Sequence, residues 1–229
     1  GTTSKTFTVT TKAVPAPSTV TITASYAGST QSATLAVQSP VLTNLTLTPA
    51  TINGPCQTSE GRVYLSVMAP AGGSVVTLTS SNPSAQIPAS VVVPAGATSA
   101  AFTVTPSLVA SKQTSTITAS YRGASFSKVQ TLMPVGVAAL ALTPNPVTGP
   151  NAVTGTVTLT CNAPAGGLAV TLKTSNSAVA RPTVGSITVP AGAKTATFNV
   201  STVDVTSVKS ANITAAAGGV SKVVSLTVN

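Results

Sequence analysis

A stretch of twelve residues occurs twice in this chain and divides it into repeats. It reads VPAGATSAAFTV over residues 93–104 and VPAGAKTATFNV over residues 189–200. The first nine residues of the chain, GTTSKTFTV, match the last nine of this stretch. The equivalent phenylalanines, Phe7, Phe102 and Phe198, are therefore 95 and 96 residues apart. Self-similarity at a fixed spacing indicates a tandem array of equivalent domains.

Each full copy of this stretch begins with a turn between two strands. Pro94 and Pro190 each stand two residues before a glycine, Gly96 or Gly192. Proline fixes φ near the value that such a turn needs, and glycine adopts positive φ without a steric penalty. The apolar residues that follow alternate with polar ones, which is typical of a half-buried strand.

The composition favours short strands joined by many turns. The chain has seventeen Gly, seventeen Pro and no Trp, with abundant Thr, Ser, Ala and Val. A mean hydropathy of +0.43 argues against disorder. Ser, Thr, Pro and Gly interrupt the apolar residues throughout, so no stretch of about twenty residues predicts a membrane-spanning helix. We therefore expect no membrane insertion.

The net charge of +9 does not predict a nucleic-acid partner. Eleven Lys and Arg face only two Asp and Glu, but the basic residues are spread along the whole chain without a cluster. Aromatic residues that stack on bases make up only 3%. Scattered lysines instead keep strand edges soluble and discourage edge pairing. A charged fraction of 6% is typical of an extracellular or cell-surface protein rather than a cytosolic one.

Apolar residues at period two predict seven strands, A to G, in residues 41–134. The predicted strands are Asn44–Thr48, Arg62–Met68, Val75–Ser80, Ser90–Val93, Ala100–Thr105, Ser115–Tyr121 and Ser125–Leu132. Residues 135–229 repeat this plan. Seven short alternating strands with turns between them favour two packed sheets in a Greek-key sandwich.

Residues 1–40 contain only the last part of such a unit. Their strand patterns, Lys5–Thr11, Ser18–Tyr26 and Gln31–Val37, match strands E, F and G of the later units. Three strands cannot bury their apolar face alone. Two alternatives follow: the sequence is a window on a longer array that starts at a turn glycine, or another chain supplies the missing strands.

The joints between units are short and contain proline. Only a few residues around Pro40 and Pro134 separate the last strand of one unit from the first strand of the next. Such a joint restricts bending, so we predict units arranged end to end as a rod.

These motifs together resemble a known family. Leu-Thr-Pro ends strand A at residues 47–49 and 142–144, Pro-Ala-Gly-Gly follows strand B, and Thr-Ala-Ser-Tyr occurs at residues 23–26 and 118–121. The chain resembles the tandem bacterial Ig-like repeats of secreted and surface-anchored proteins. The resemblance implies an all-β fold of tandem seven-stranded Ig-like Greek-key sandwiches, the first unit incomplete. Such repeats serve as stalks, adhesin shafts, filament parts and spacers.

The residue types that catalysis and metal binding need are almost absent. The chain has no His, and its two carboxylates, Glu60 and Asp204, fall in different units. Neither a paired acid and base nor a Ser-His-Asp triad is available within one unit. Too few Cys, His and carboxylates occur for a zinc or calcium site. We expect no enzyme activity and no cofactor.

The two cysteines leave three alternatives open. Cys56 lies in the loop between strands A and B of the first complete unit, and Cys161 lies in the inward phase of strand B of the next. In this topology both positions lie towards the joint at Pro134. A disulfide across the joint would contribute on the order of 4 kcal/mol in the chain-entropy model. The alternatives are a free, buried Cys161 and an intermolecular bond from Cys56.

The sequence thus predicts a non-enzymatic structural segment of an extracellular bacterial protein, a semi-rigid rod or a filament-forming array. Its expected partners are other copies of itself or neighbouring repeats. The alternative functions are a binding module for surface glycans or a host receptor, and the spacer of a secreted enzyme.

Overall fold

The computed structural model describes residues 3–229 of the chain, so Gly1 and Thr2, where the partial repeat starts, lie outside the described residues. The described part contains nineteen strands and one 3₁₀ turn. Within it, no helix has both the length and the apolar character needed to cross a membrane.

An antiparallel hairpin lies near the start of the chain. Strand β1 covers Ser18–Tyr26 and β2 covers Ser29–Val37, and the two form a separate two-stranded sheet. The connecting residues Ala27 and Gly28 have φ of 46° and 79°. Positive φ at both central residues is the requirement of the type I′ turn, whose twist matches that of paired strands.

Nine strands follow and form a first sandwich, residues 42–133. They are β3 (Leu42–Thr48), β4 (Thr51–Asn53), β5 (Ser59–Leu65), β6 (Ser74–Ser80), β7 (Ala85–Gln86), β8 (Ser90–Val93), β9 (Ser99–Pro106), β10 (Gln113–Tyr121) and β11 (Ala124–Met133). A 3₁₀ turn, Gly54–Cys56, stands between β4 and β5.

The strands of the first sandwich form two sheets. One has the order β3-β5-β9-β7 and the other the order β4-β11-β10-β6-β8. Apart from the short strands β4 and β7, the chain passes from one sheet to the other between β5 and β6 and returns between β8 and β9, which gives the Greek-key connection of an Ig-like sandwich. The predicted strands A, B, C, D, E, F and G correspond to β3, β5, β6, β8, β9, β10 and β11. The short strands β4 and β7 are additional.

The second sandwich, residues 137–228, repeats this arrangement. Its strands are β12 (Val137–Thr143), β13 (Val153–Leu159), β14 (Leu168–Thr174), β15 (Ala180–Pro182), β16 (Ser186–Val189), β17 (Thr195–Thr202), β18 (Lys209–Ala217) and β19 (Val220–Val228). The sheets have the orders β12-β13-β17-β15 and β16-β14-β18-β19. The predicted all-β, Ig-like sandwich fold is confirmed.

Each sandwich has its own hydrophobic core. Inward residues at period two supply both cores, and outward positions are mostly Thr and Ser. Leu45, Ile52, Ile117 and Leu132 are fully buried in the first core. The largest fully buried side chains of the second core are Leu159, Ile213 and Leu226. Two separate cores explain why the sequence period is close to one hundred residues.

A glycine faces a phenylalanine across the same strand pair in both sandwiches. Gly61 of β5 pairs with Phe102 of β9, and Gly155 of β13 pairs with Phe198 of β17. A Cβ atom at either glycine would fall on the phenylalanine ring. The absence of a side chain on the B strand therefore creates the space that the ring occupies.

The predicted strand at Lys5–Thr11 is wrong: residues 3–17 form no strand in the structure. The equivalent strands, β9 and β17, are hydrogen-bonded to β5 and β13 of their own sandwiches. The described residues ahead of β3 include no strand equivalent to β5. Alternation of apolar residues is therefore not sufficient to form a strand here, because the backbone N–H and C=O groups lack a neighbouring strand to bond with.

Candidate functional site

The connection between the two sandwiches is short and is held against the second one. Strand β11 ends at Met133 and β12 begins at Val137, so Pro134, Val135 and Gly136 make the whole link. The Gly136 N–H donates to the Thr160 hydroxyl (3.2 Å), and the Thr160 N–H donates to the Gly136 carbonyl (2.9 Å). Val135 is buried. The link therefore lies fixed on the second sandwich.

The 3₁₀ turn of the first sandwich lies beside this link. Strand β4 pairs in parallel with the last residues of β11, and Asn53 stands opposite Met133. The side-chain oxygen of Gln57 accepts hydrogen bonds from the Asn53 backbone N–H (3.0 Å) and the Asn53 side-chain amide (3.1 Å). These contacts place the turn next to the start of the second sandwich.

Gly54 makes the closest packing contact of the turn. It is buried, and its φ of +46° lies in the left-handed region. A Cβ atom at Gly54 would lie 2.9 Å from Cγ2 of Val135 and 3.2 Å from Sγ of Cys161. Neither the backbone conformation nor the available space suits a larger residue here.

A disulfide joins the two sandwiches at this point. Cys56 of the turn is bonded to Cys161 of the second sandwich, with a Cα–Cα distance of 5.7 Å and a sequence separation of 105 residues. The Asn53 carbonyl oxygen lies 3.2 Å from Sγ of Cys161, as a packing contact, since a disulfide sulfur has no hydrogen to donate. Of the three alternatives, the structure has the bond across the joint.

The position of Cys161 differs from the predicted one. Strand β13 ends at Leu159, so Cys161 lies two residues beyond strand B rather than within it. Its side chain nevertheless packs in the core of the second sandwich. The equivalent residue of the first sandwich, Val67, continues the apolar alternation of Val63 and Leu65, which predicts burial, but it is 38% exposed, against 2% for Cys161. Strand B of the first sandwich likewise ends early, at Leu65 rather than Met68.

Apolar side chains from both sandwiches also meet at the joint. The β9–β10 loop of the first sandwich contributes Leu108, Val109 and Ala110 to a groove. From the link and the second sandwich, this groove is lined by Pro134, Val135, Pro164, Leu168 and Gly218. Val109 is buried at this place, whereas Leu108 is about half exposed.

The predicted turn residues hold one end of each sandwich together. The Ala97 N–H donates to the Pro94 carbonyl (3.0 Å), and Gly96 has φ of 78°. The Gly96 N–H also donates to the carbonyl of Ala69 in the loop between β5 and β6 (2.9 Å). The same bonds recur in the second sandwich.

In that second copy, the Ala193 N–H donates to the Pro190 carbonyl (3.0 Å) and the Gly192 N–H to the Ala163 carbonyl (2.9 Å). Gly192 has φ of 76°. The repeated turn thus has an architectural role, because it ties two loops of one sandwich to each other.

The joint at Pro40 has only part of this arrangement. Pro40 is buried between β2 and β3. The Val41 N–H donates to the Ser66 hydroxyl (3.1 Å), and the Ser66 N–H donates to the Val41 carbonyl (2.9 Å). These bonds match those of Gly136 at the second joint. Among the described residues, nothing corresponds to the 3₁₀ turn and its cysteine.

The two carboxylates lie at separate places. Glu60 lies within β5, rather than before strand B as expected, and its Oε1 is 3.0 Å from Nη2 of Arg62. Asp204 follows β17 in the second sandwich. In residues 3–229, no three His, Cys, Asp or Glu side chains are grouped so that they could hold a metal ion.

The two most exposed aromatic residues belong to the first repeat. Phe7 is 70% and Tyr26 is 88% exposed. In the first sandwich, the equivalent Phe102 is only 6% exposed, and the hydroxyl of Tyr121 donates to Ser74 (3.0 Å). Phe7 and Tyr26 are therefore exposed because they lack the neighbours that cover Phe102 and Tyr121. Their exposure is not evidence of a ligand pocket.

No protein-family model matches the sequence, and no curated protein matches it. Among solved structures, the D00-D0 domain of intimin is similar, with 14% identity and a TM-score of 0.34 over 82% of this chain and 97% of that one. The Yersinia pseudotuberculosis adhesin InvE has 16% identity and a TM-score of 0.35 over 82% of this chain and 60% of its own length. Invasin, a bacterial integrin-binding protein, has 15% identity and a TM-score of 0.39 over 93% of this chain and 46% of its own length. The strand pairing of the chain itself establishes that its complete units are Ig-like sandwiches.

Proposed function

We propose that this chain is a non-enzymatic structural segment of an extracellular bacterial protein. Its successive units, residues 1–40, 41–134 and 135–229, form a semi-rigid rod that holds other parts of the protein apart. The joint at Pro134 sets the direction of the rod, and the backbone ladders and cores of the sandwiches resist extension.

The observation that carries this proposal is the double covalent connection at the joint. The three-residue link and the Cys56–Cys161 disulfide are two separate tethers between the sandwiches. One tether permits rotation about a point, whereas two tethers remove most of that freedom. Gly54 fills the space between them and packs against Val135.

The disulfide also supports the proposed location. Disulfides form and persist outside the cell and are rare in the reducing cytosol. Closing a loop of 105 residues contributes about 4.7 kcal/mol in the chain-entropy model. Such a constraint on a joint is useful only in a compartment where the bond persists.

Residual dipolar couplings of the two sandwiches test the stiffness of the joint. If the joint is rigid, one alignment tensor fits the couplings of both sandwiches in the oxidised protein. The matched variant combines Cys56→Ala with Cys161→Val, because valine is the residue at the equivalent position 67. We expect two tensors of unequal magnitude in that variant. Two unequal tensors in the oxidised wild-type protein would contradict the proposal.

The partners under this proposal are neighbouring repeats or other copies of the chain. Electron microscopy distinguishes isolated rods from continuous ordered fibres, and only fibres support polymerisation. The alternative role, binding of glycans or of a host receptor, predicts saturable binding on a glycan array or to cell-surface receptors. Saturable binding that survives loss of the disulfide would favour that role over a spacer.

A further inference from the structure

The β1–β2 hairpin has one apolar face that the described chain covers only in part. The strand register places Val20 opposite Leu35 and Ile22 opposite Ala33, so these four side chains share a face. Val9 from the preceding segment lines a groove with Val20 and Leu35. Val20 nevertheless remains half exposed. This face has the pattern of a core surface without a complete core.

On the equivalent face of the first sandwich, the strand β10 is covered. Ile117 and Ala119 of β10 are fully buried in the core of that sandwich. Strand β10 also pairs with β6 through residues 117–120. The matching edge of β1, residues 22–25, has no second partner strand within residues 3–229. The hairpin therefore lacks both a strand neighbour and an opposing sheet.

A second exposed surface lies next to the hairpin. At the other joint, the turn Gly54–Cys56 covers Cys161. The residue of the first sandwich that is equivalent to Cys161 is Val67. It has no such cover and lines one groove with Met68, Leu35 and Val37. The uncovered end of the first sandwich is thus continuous with the apolar face of the hairpin.

We propose that these surfaces together bind one four-stranded polypeptide segment whose strands follow the order of β3, β5, β6 and β8. The segment adds a strand to the free edge of β1, closes a sandwich over the hairpin, and covers Val67 with the loop between its first two strands. This inference goes beyond the stiffness of the joint at Pro134 and does not depend on it.

When residues 5–11 pair with the second strand of the segment as β9 pairs with β5, that strand must carry a glycine opposite Phe7. Both complete sandwiches place a glycine under the equivalent phenylalanine, Gly61 under Phe102 and Gly155 under Phe198. The ring of Phe7 is 70% exposed, against 5% for Phe198. A side chain at the glycine position would occupy the volume of the ring.

The third strand of the segment begins with a residue whose hydroxyl group accepts a hydrogen bond from Tyr26. The equivalent tyrosine, Tyr121, donates to Ser74, the first residue of β6. Tyr26 ends β1 at the same place in the hairpin and is exposed. A serine at the start of the added strand satisfies this phenol group.

The last strand of the segment ends close to Ser4. In the first sandwich, β8 ends at Val93 and β9 begins at Ser99, so a short turn connects them. The repeat spacing makes Ser4 equivalent to Ser99. A segment joined ahead of residue 1 through the same short turn is therefore a suitable fusion for testing the proposal.

A fusion protein tests this proposal with the intact chain. Residues 41–95 are duplicated directly ahead of Gly1, with Cys56→Ser in the added copy, so that Pro94-Ala95 again precedes a glycine. Hydrogen exchange of the amides at residues 22–25 is compared with that of the unfused chain. We expect protection to increase on the order of 100-fold or more, because a frayed edge becomes an internal strand. The methyl resonances of Val67 shift as well.

The control variant carries Gly61→Val in the added copy only. This valine competes with Phe7 for the same space, so we expect the gain in protection to be lost. Adding Phe7→Ala removes the ring, and we expect this second change to restore the gain. Gly61 of the first sandwich itself is unchanged in every variant. Hydrogen exchange of that sandwich therefore shows whether the rest of the protein is folded.

Three results would overturn the proposal. One is unchanged protection of residues 22–25 in the fusion while both sandwiches keep theirs. Another is a gain in protection that Gly61→Val does not reduce. The third is strong, concentration-dependent protection in the unfused chain with dimers in sedimentation, because a second copy would then occupy the surface.

Discussion

The hairpins β1–β2 and β10–β11 share the end of their first strand in sequence but have very different surroundings. Both contain Thr-Ile-Thr-Ala-Ser-Tyr, at residues 21–26 and 116–121. Both turns have two consecutive residues with positive φ, and both registers match residue for residue. Even the outer hydroxyl pairs recur, since Thr23 contacts Ser32 at 3.0 Å and Thr118 contacts Ser127 at 2.8 Å.

The difference between the hairpins lies in their burial. Ile117 is fully buried, whereas the identical Ile22 is only half-buried. Pairing of two adjacent strands depends on the turn and on local sequence, so it is the same in both places. Burial depends on strands that are distant in sequence. The comparison therefore separates the local contribution to this fold from the non-local one.

The largest expected effect comes from removing equivalent phenylalanines. Phe102→Ala should lower the free energy of unfolding of the first sandwich by about 3–5 kcal/mol, because the change leaves a cavity over Gly61. Phe7→Ala should change that free energy by less than about 0.5 kcal/mol, since Phe7 is mostly exposed. Denaturant unfolding of each variant measures both values. Equal losses from the two substitutions would show that Phe7 already supports the first sandwich.

The second largest effect is expected from the joint disulfide. Reduction, or Cys56→Ala with Cys161→Val, should lower the stability of the oxidised protein by about 2–5 kcal/mol, because the unfolded chain gains conformational freedom. The joint at Pro40 serves as the comparison, since it has no such bond. Unfolding with and without reductant, with alkylation to prove the thiol state, measures the change. No difference between the oxidised and reduced protein would mean that the bond does not constrain unfolding.

Much of the strand pattern follows from the sequence alone. The predicted strands Ser90–Val93 and Ser18–Tyr26 agree with β8 and β1 residue for residue. Strand B was placed too late because the apolar alternation continues through Val67, although the backbone leaves the sheet after Leu65. The strands β4, β7 and β15 have only two or three residues, which is too short for a periodic pattern.

The joint was predicted less completely than the strands. Strand order alone brought Cys56 and Cys161 to the same end, but it did not decide whether Cys161 faces its own core or its partner. The structure shows that it does both, because a loop of the neighbouring sandwich covers that edge of the core. The role of Gly54 was missed. Its only signal in the sequence is a glycine next to Pro55 and Cys56, and the space that it fills is created by Val135 of the other sandwich.

A smaller effect is expected at the hairpin turns. Gly123 has φ of 82°, and an added Cβ would meet nothing within 4 Å, so Gly123→Ala acts through the backbone alone. We expect it to lower the stability of the first sandwich by about 1 kcal/mol. Gly28, with φ of 79° and equally open space, is the matched control. Gly28→Ala should loosen hydrogen exchange of β1 and leave the first sandwich unchanged. A loss in the first sandwich from Gly28→Ala would mean that the hairpin supports it.

The smallest effect is expected where the two sandwiches differ in charge. Glu60 and Arg62 of β5 form an ion pair, and both side chains are at least one third exposed. The equivalent residues of β13, Thr154 and Thr156, are uncharged and occupy the same strand positions. Solvent screens such a pair, so the double change Glu60→Thr with Arg62→Thr should alter the free energy of unfolding by less than about 0.5 kcal/mol. The single change Glu60→Thr leaves Arg62 without its partner but still in water, and it should be equally mild.

Denaturant unfolding at low and high salt measures both variants, and any small loss should shrink as salt rises. A loss of several kcal/mol that persists in high salt would show that the first sandwich, unlike the second, depends on charge at this strand.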